Sequence, residues 1–275
     1  MKKNNITYLG IPGSYSYIAA IKFFNYKNMQ GINSIKSIFE NVTKGLSDFG
    51  IIPLENSTTG SIMESYDEIL KYHLSIIGEL FLKINHNLLT IRKNVDIKKI
   101  KFCLSHPQSF LQCQQFFTNY PWIKPVFTSD TATAAKQLQC RSKNEFCAIG
   151  SVESAKIYRL SIFQRNIEDS KANFTRFGIV AKKQNKTGNK ITIIFSVKHK
   201  PASLYQALTP YAQYGLNLTK IESRPIIGKL WEYIFILDFE IKNLKILPKI
   251  LKEMKKTALF LKLAGIYQQG NIYES

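Results

Sequence analysis

Four short stretches of this chain gather hydroxyls, glycine and small polar groups between an apolar run and an amphipathic one. They are "GIPGSYS" (10–16), "PLENSTTGS" (53–61), "SHPQS" (105–109) and "AIGSVES" (148–154). Serine, threonine and asparagine at such places cap helices, because a side-chain oxygen accepts an N–H that the first turn leaves without a partner. The other free N–H groups and the positive end of the helix dipole also suit an anion. Gathered at the strand ends of one sheet, such turns would hold several negative oxygens with no arginine at all.

Two titratable groups stand inside these turns. Glu55 beside an anion site would be repelled, so either it points away or its pKa is raised and it serves as a proton donor. His106 reads as an acid, a base, a hydrogen-bond donor or a plain turn residue. With four histidines and four scattered cysteines, and no CxxC pair, no metal site assembles and no cofactor is expected. The stretch "NFTRFGIV" (173–180) alternates so that Thr175 and Phe177 share one strand face, which fits a site wall and plain β-packing equally.

The elements that must position these groups follow from the apolar spacing. Ile6 to Leu9 reads as a strand, and Ile18, Ile21 and Phe24 as a helix face. A helix is expected over Ile35–Lys44, then the strand "FGIIP" turning directly into a helix with Ile62, Tyr66, Ile69 and Leu70 on one side. "SIIGELFLKINHNLLTI" is strand-rich, "KIKFCLSHP" a strand into a turn, "SFLQCQQFF" one helix and "TATAAKQL" another. "FCAIG" is a strand and "SVESAKIY" a helix capped by Ser151. Alternating strands and helices give an α/β class with a largely parallel sheet.

The polar run "KKQNKTGNK" (182–190) is the best linker. Beyond it come the strand "ITIIFSV", the helix "SLYQALTPYAQY", the strands "LNLTKIES" and "LWEYIFILDF", a helix at Leu244–Lys255 and the strand "LFLKLAGIY". That order is the ferredoxin-like βαββαβ arrangement.

At 275 residues and 45% hydrophobic composition the chain is long and apolar enough for about two packed domains. No apolar run of about 18 residues is present, and the start lacks a signal-like core, so a cytoplasmic protein without a membrane span is expected. The net charge of +19 invites a nucleic-acid reading. Its lysines come singly or in pairs, with no basic run or RNA-binding aromatic signature, which argues for solvated faces instead.

The motifs also carry a family resemblance. Gly10-x-x-Gly13-Ser14-Tyr15-Ser16, Pro53-Leu54-Glu55-Asn56-Ser57, Ser105-His106-Pro107-Gln108 and Thr175-Arg176-Phe177, in that order, resemble prephenate dehydratase. Glu222-Ser223-Arg224-Pro225 and Trp231-Glu232-Tyr233 resemble the ACT regulatory domain of the same enzymes. The likeness runs from about Ile6 to Tyr267 and looks like the dehydratase portion of the bacterial bifunctional chorismate mutase/prephenate dehydratase, with no mutase domain expected.

The resemblance implies a two-lobed catalytic domain like type II solute-binding proteins over 5–182, a linker at 183–190 and an ACT domain over 191–270. It implies conversion of prephenate to phenylpyruvate, with Thr175 as the first catalytic residue and Glu55 and Asn56 beside it. Ser14, Ser16, Ser57, His106, Gln108, Arg176 and Phe177 are the implied substrate-binding or supporting groups. Phenylalanine is the implied effector, taken at Ala202-Ser203-Leu204 and Glu222 to Pro225, and a homodimer or homotetramer is the implied assembly. Where the family has glycine–alanine–leucine this chain has Ala202-Ser203-Leu204, and the added Cβ would crowd a ligand approaching the backbone closely. The rival expectations are an arogenate dehydratase and an amino-acid-binding sensor without catalysis.

Overall fold

A computed structural model describes residues 5–25, 29–141, 144–226, 228–229 and 231–275. Its elements run β1 (Ile6–Leu9), α1 (Tyr15–Phe24), β2 (Gln30–Ile32), α2 (Ile35–Lys44), β3 (Phe49–Asn56), β4 (Gly60–Ser61), α3 (Met63–Lys71) and β5 (Ser75–Lys83). There follow β6 (Asn87–Thr90), β7 (Phe102–Ser105), α4 (Pro107–Leu111), α5 (Gln114–Asn119), β8 (Lys124–Phe127), α6 (Thr131–Gln139), β9 (Phe146–Gly150), α7 (Val152–Ile157) and β10 (Ser161–Gln164). The chain ends with β11 (Phe174–Ala181), β12 (Lys190–Val197), α8 (Ser203–Gln213), β13 (Leu218–Pro225), β14 (Tyr233–Glu240), α9 (Leu247–Met254), β15 (Ala258–Tyr267) and β16 (Ile272–Glu274). The chain divides into two compact units: residues up to Ser65 with Leu80–Phe177 and Asn271–Ser275, and Tyr66–Glu79 with Gly178–Gly270.

The first unit contains two sheets. One has the order β5-β11-β3-β1-β2, with β1 parallel to both β2 and β3. The amphipathic α2 buries Ile38, Phe39 and Val42 completely on its sheet side, each burial contributing about 1.5–3 kcal/mol. The other sheet has the order β10-β6-β9-β7-β8, parallel at β7–β8 and β7–β9 and antiparallel at β6–β9 and β6–β10. Its two sides are packed by separate apolar clusters, around Cys103, Phe116 and Ile149 and around Leu104, Leu138 and Ala148. Residues 84–86 carry the chain from the first sheet to the second, and residues 165–173 carry it back. These two connections are bonded to each other, Ile84 N donating to Asn173 O (2.8 Å) and Ile167 N to His86 O (2.8 Å).

The second unit is the expected βαββαβ run. Its strands stand in the order β13-β14-β12-β15 with antiparallel pairing. Ile193, Phe195, Leu237, Phe239, Tyr211 and Ile250 fill the space between sheet and helices. A buried ion pair joins Lys190 Nζ to Glu79 Oε1 at 2.8 Å, and Gly270 N donates to the same carboxylate oxygen. Ala202, at the start of α8, holds φ 62°, a left-handed conformation that suits glycine.

Three readings need correction. "PLENSTTGS" is not a strand-to-helix turn: β3 continues to Asn56 and folds back into β4, Glu55 opposite Ser61. The cause is local, because Asn56 Oδ1 accepts from the N–H groups of Thr58 (3.0 Å) and Thr59 (3.2 Å) and closes the turn itself. "SFLQCQQFF" is two helices, broken where Cys113 leaves helical geometry and Asp169 accepts from Gln114 N and Gln115 N to start α5 afresh. The sheet expected to be largely parallel is two sheets, each with both parallel and antiparallel pairs. Trp231 has φ 61° and precedes the strand expected at 230–239, which begins at Tyr233; residue 230 lies outside the described residues.

Candidate active site

A cavity of about 740 Å³ lies in the first unit. Helices α1, α2, α3 and α6 begin at its wall. Leu9 to Ile11, Ser14, Tyr15 and Ser16 come from the α1 entry; Asn33, Ser34 and Ile35 from α2; Ile62 and Glu64 from α3; Ser129 to Thr131 and Thr133 from α6. Pro53, Thr175 and Phe177 complete it. Ser14 caps α1 by accepting from Tyr17 N, Ser34 caps α2 by accepting from Ser37 N, and Asp130 caps α6 by accepting from Thr133 N. Each cap takes one amide of its first turn and leaves others aimed outward. Together they give the wall a positive potential of dipolar origin, about half a unit charge per helix end.

Among the described residues that line the cavity there is no lysine or arginine, and two are acidic. Asp130 is occupied by its capping bonds and by Thr133 Oγ1 (2.6 Å), while Glu64 is exposed. The Ser16 hydroxyl, among the described residues, has no bond to protein and faces the cavity.

Thr175 is held with its hydroxyl in a defined sense. Asn56 Nδ2 donates to Thr175 Oγ1 at 3.0 Å, to Asn173 Oδ1 at 2.8 Å and to Phe174 O at 3.2 Å. The amide cannot be reversed, because its Oδ1 already accepts backbone N–H groups and its Nδ2 faces a backbone carbonyl. Thr175 Oγ1 is therefore an acceptor on the Asn56 side, which leaves its proton for a group in the cavity. Ser57 fixes the strand from the other side: its N donates to Phe174 O, and its Oγ accepts from Phe174 N and donates to Ala172 O.

Alternation along β11 puts Arg176 on the face opposite Thr175 and Phe177. The guanidinium is 5% exposed and its Nη1 lies 3.8 Å from Glu55 Oε2. Neither residue is among the lining groups. His106 and Gln108 also lie outside the lining: exposed His106 caps α4, its Nδ1 accepting from Gln108 N (3.2 Å). Ser151 and Ser154 serve the cavity indirectly. Their hydroxyls donate to Gly13 O (3.0 and 2.8 Å), and the Tyr158 hydroxyl, pushed up to about 12 by burial first, donates to Pro12 O. This pins the loop that carries Ser14 and Ser16.

Of the residues that the resemblance implies, the structure gathers Ser14, Ser16, Thr175 and Phe177 on one cavity with Asn56 directly behind Thr175, and leaves Glu55, Ser57, Arg176, His106 and Gln108 outside its lining. Sequence reasoning missed the entries to α2 and α6. "NSI" and "SDT", each a cap residue before an apolar helix, were the available signal. It also missed Asn173, Gln112 and His86. The cavity can bind a small anion carrying more than one carboxylate and can donate one hydrogen bond, from Thr175, to a leaving oxygen.

In the second unit, Ser203 and Leu204 line a hollow of about 130 Å³ with Trp231, Tyr233, Phe235, Lys198, His199 and Lys200. Glu222, Ser223, Arg224 and Pro225 are on β13 and do not line it; Glu222 pairs with Lys220 (2.9 Å) and Arg224 with Asp67. Ala202 is exposed. Among the described residues there is no cluster of potential metal ligands, and no helix is long and apolar enough to cross a membrane.

The chain is similar to several known proteins. The chain is 40% identical over 267 residues to the prephenate dehydratase of Methanocaldococcus jannaschii, covering 93% of this chain and 94% of that one. A prephenate dehydratase from Arthrobacter aurescens, solved in complex with L-Phe, superposes with a TM-score of 0.85 at 24% identity, covering 96% of this chain and 90% of that one. A protein described as a novel type of quorum-quenching acylase superposes equally, with a TM-score of 0.85, 27% identity and coverage of 96% and 97%. The prephenate dehydratase family model matches residues 6–185, the stretch that builds both sheets around the cavity, and the chain belongs to that family.

Proposed function

We propose that the chain converts prephenate to phenylpyruvate, carbon dioxide and water in the cavity of the first unit, as a step of phenylalanine formation. Prephenate is a dianion with a ring carboxylate, a pyruvyl carboxylate and a C4 hydroxyl. Cleavage of the ring–carboxylate bond supplies the electron pair that makes the ring aromatic, and the C4–O bond breaks as that pair arrives. The departing hydroxide takes a proton and leaves as water. Aromatisation supplies the driving force, so the protein has to bind two carboxylates and assist one leaving group.

The helix ends at Ser14, Ser34 and Thr131 would take the carboxylates through backbone N–H and hydroxyl groups. Thr175 would donate to the C4 oxygen, with Asn56 fixing the direction of that bond, and Phe177 would lie against the ring. Assistance of this kind is usually worth about 10²–10⁴ in rate. The observation that carries the reading is the Asn56–Thr175 bond at 3.0 Å, which leaves the hydroxyl proton for the cavity. Glu55 and Arg176 set the charge behind that wall as a pair.

The second unit is proposed as an ACT domain that takes phenylalanine. Among the described residues its two implied motifs do not line one hollow, and a homodimer or homotetramer that brings them together between copies completes the proposal. The enzyme is placed in the cytoplasm and needs no nucleic acid, membrane or cofactor.

Turnover of prephenate by purified protein, read as phenylpyruvate absorbance in alkali, tests the reading. Thr175→Ala is expected to lose at least a hundredfold in kcat while keeping its thermal unfolding curve. Full activity in that variant overturns the assignment. Preference for arogenate, or turnover of an N-acyl amide in place of prephenate, moves the chain to a rival class; phenylalanine binding without turnover leaves the sensor.

A further inference from the structure

Behind Thr175 lies a closed circuit of side chains. Gln112 Nε2 donates to Thr58 Oγ1 (2.7 Å), and Thr58 Oγ1 donates to Asn56 Oδ1 (2.6 Å). Asn56 Nδ2 donates to Asn173 Oδ1 (2.8 Å), and Asn173 Nδ2 donates to Gln112 Oε1 (3.1 Å), which closes the ring. Every donor in it has one acceptor in it, so the orientation of each amide fixes the others. Its sense is set at Asn56, whose Oδ1 accepts from Thr58 N and Thr59 N and whose Nδ2 faces Phe174 O, and one group outside the ring holds its far end at Gln112.

The outside group is His86. Its ring is 2% exposed, in the connection that leaves the first sheet, and its Nε2 lies 2.8 Å from Gln112 Oε1. Because that oxygen also accepts from Asn173, the contact requires a proton on Nε2. On its other side, Nδ1 is left as an acceptor 3.1 Å from the hydroxyl of Tyr15, a cavity-lining residue whose one proton is shared between Nδ1 and Asn85 O (2.8 Å). The His86 backbone is bonded as well, its N donating to Glu168 Oε2 (2.8 Å) and its O accepting from Ile167 N. Burial lowers the imidazole pKa, which favours the neutral ring, and the contact with Gln112 Oε1 selects the Nε2–H tautomer.

We propose that His86 is a positioning residue for the dehydration, its Nε2–H holding Gln112 in the orientation that the Gln112–Thr58–Asn56–Asn173 ring requires and so keeping the Thr175 hydroxyl aimed into the cavity. The inference rests on the reading of the cavity as the prephenate site. His86 touches no substrate; it acts through Gln112, and through Tyr15 it ties the α1 entry to the same support.

Two substitutions separate its arms. Glutamine places an amide N–H near the Nε2 position and keeps the arm to Gln112; asparagine reaches only as far as Nδ1 and loses it. His86→Asn is expected to lower kcat about tenfold to a hundredfold with KM within threefold, the size of effect that misplaced catalytic groups give. His86→Gln is expected to recover at least tenfold of that loss. The side-chain amide resonances of Asn56, read by ¹⁵N NMR whatever the turnover, should move in His86→Asn and stay near wild type in His86→Gln.

Equal losses in the two variants, a change in KM alone, or unmoved Asn56 resonances would overturn the inference. If His86→Asn does not fold, Gln112→Met, at a half-buried site, reads the same arm with the same expected fall in kcat. A wild type that leaves prephenate untouched refutes the proposed substrate, and the NMR comparison then still decides the role of His86.

Discussion

Replacing Asn56 by aspartate changes one nitrogen to oxygen and almost nothing in shape. That atom faces Asn173 Oδ1 at 2.8 Å, Phe174 O at 3.2 Å and Thr175 Oγ1 at 3.0 Å. Two of these neighbours offer no proton, so two hydrogen bonds become oppositions of lone pairs, at about 1–3 kcal/mol each, or roughly 2–6 kcal/mol of folding stability. The third bond reverses, because the Thr175 hydroxyl turns its proton to the new carboxylate. A bond to a charged acceptor is worth about 1.5–3 kcal/mol, and giving it up before assisting the leaving oxygen lowers kcat by about 10- to 160-fold. Acid should restore part of the activity. Once the new carboxyl is protonated it donates to Thr175 Oγ1 as the amide did, and its burial raises the pH at which this happens. The assay is the pH dependence of kcat for wild type, Asn56→Asp and Thr175→Ala, with urea unfolding for stability. A kcat within threefold of wild type at pH 8, or a loss that acid leaves unchanged, refutes the assigned direction of the Asn56–Thr175 bond.

Other expected outcomes follow from the same geometry. Gly13→Ala places a Cβ 2.9 Å from Ser154 Oγ at φ 91°, so it should cost at least about 1–2 kcal/mol in urea unfolding and raise KM by shifting the α1 entry. Ala202→Gly relieves the left-handed alanine at φ 62° and should raise stability by up to about 1 kcal/mol, partly offset by the freer unfolded chain, with phenylalanine inhibition stronger than in wild type. Lys190→Met removes the cation beside the fully buried Glu79 and should lower stability by about 3–5 kcal/mol, read as a fall in the urea midpoint.

The sequence carries most of the local structure and little of the convergence. α2 is found to the residue because Ile35, Ile38, Phe39 and Val42 repeat at the helical period between a serine cap and Gly45. Ser14 carries a cap signature, whereas strand alternation places Thr175 and Phe177 on one face and only the family resemblance gives Thr175 a role. That they share a cavity depends on the order β11-β3-β1-β2, which no local pattern encodes. The same limit hid Ser34 and Asp130, whose turns look like any capped helix start until the sheet order brings them beside Ser14. His106 shows the converse, a suggestive residue whose side chain, among the described residues, bonds only to Gln108 N as a cap. The stretch "SIIGELFLKINHNLLTI" reads as strand-rich with no break marked, because apolar residues continue on both sides of it. The chain changes sheets at 84–86, where His86 bonds to side chains far away in sequence.

That no lysine or arginine is among the described residues lining the cavity, in a chain of net charge +19, separates two ways of attracting an anion. Surface cations draw the ion in from a distance and are weakened by dissolved salt. Peptide dipoles in a recess bring no counterion atmosphere with them, so their hold survives at ionic strengths that slow the approach. Encounter and grip are then tuned by different parts of the molecule, and the lysine content of the surface is free to drift while the recess keeps its chemistry.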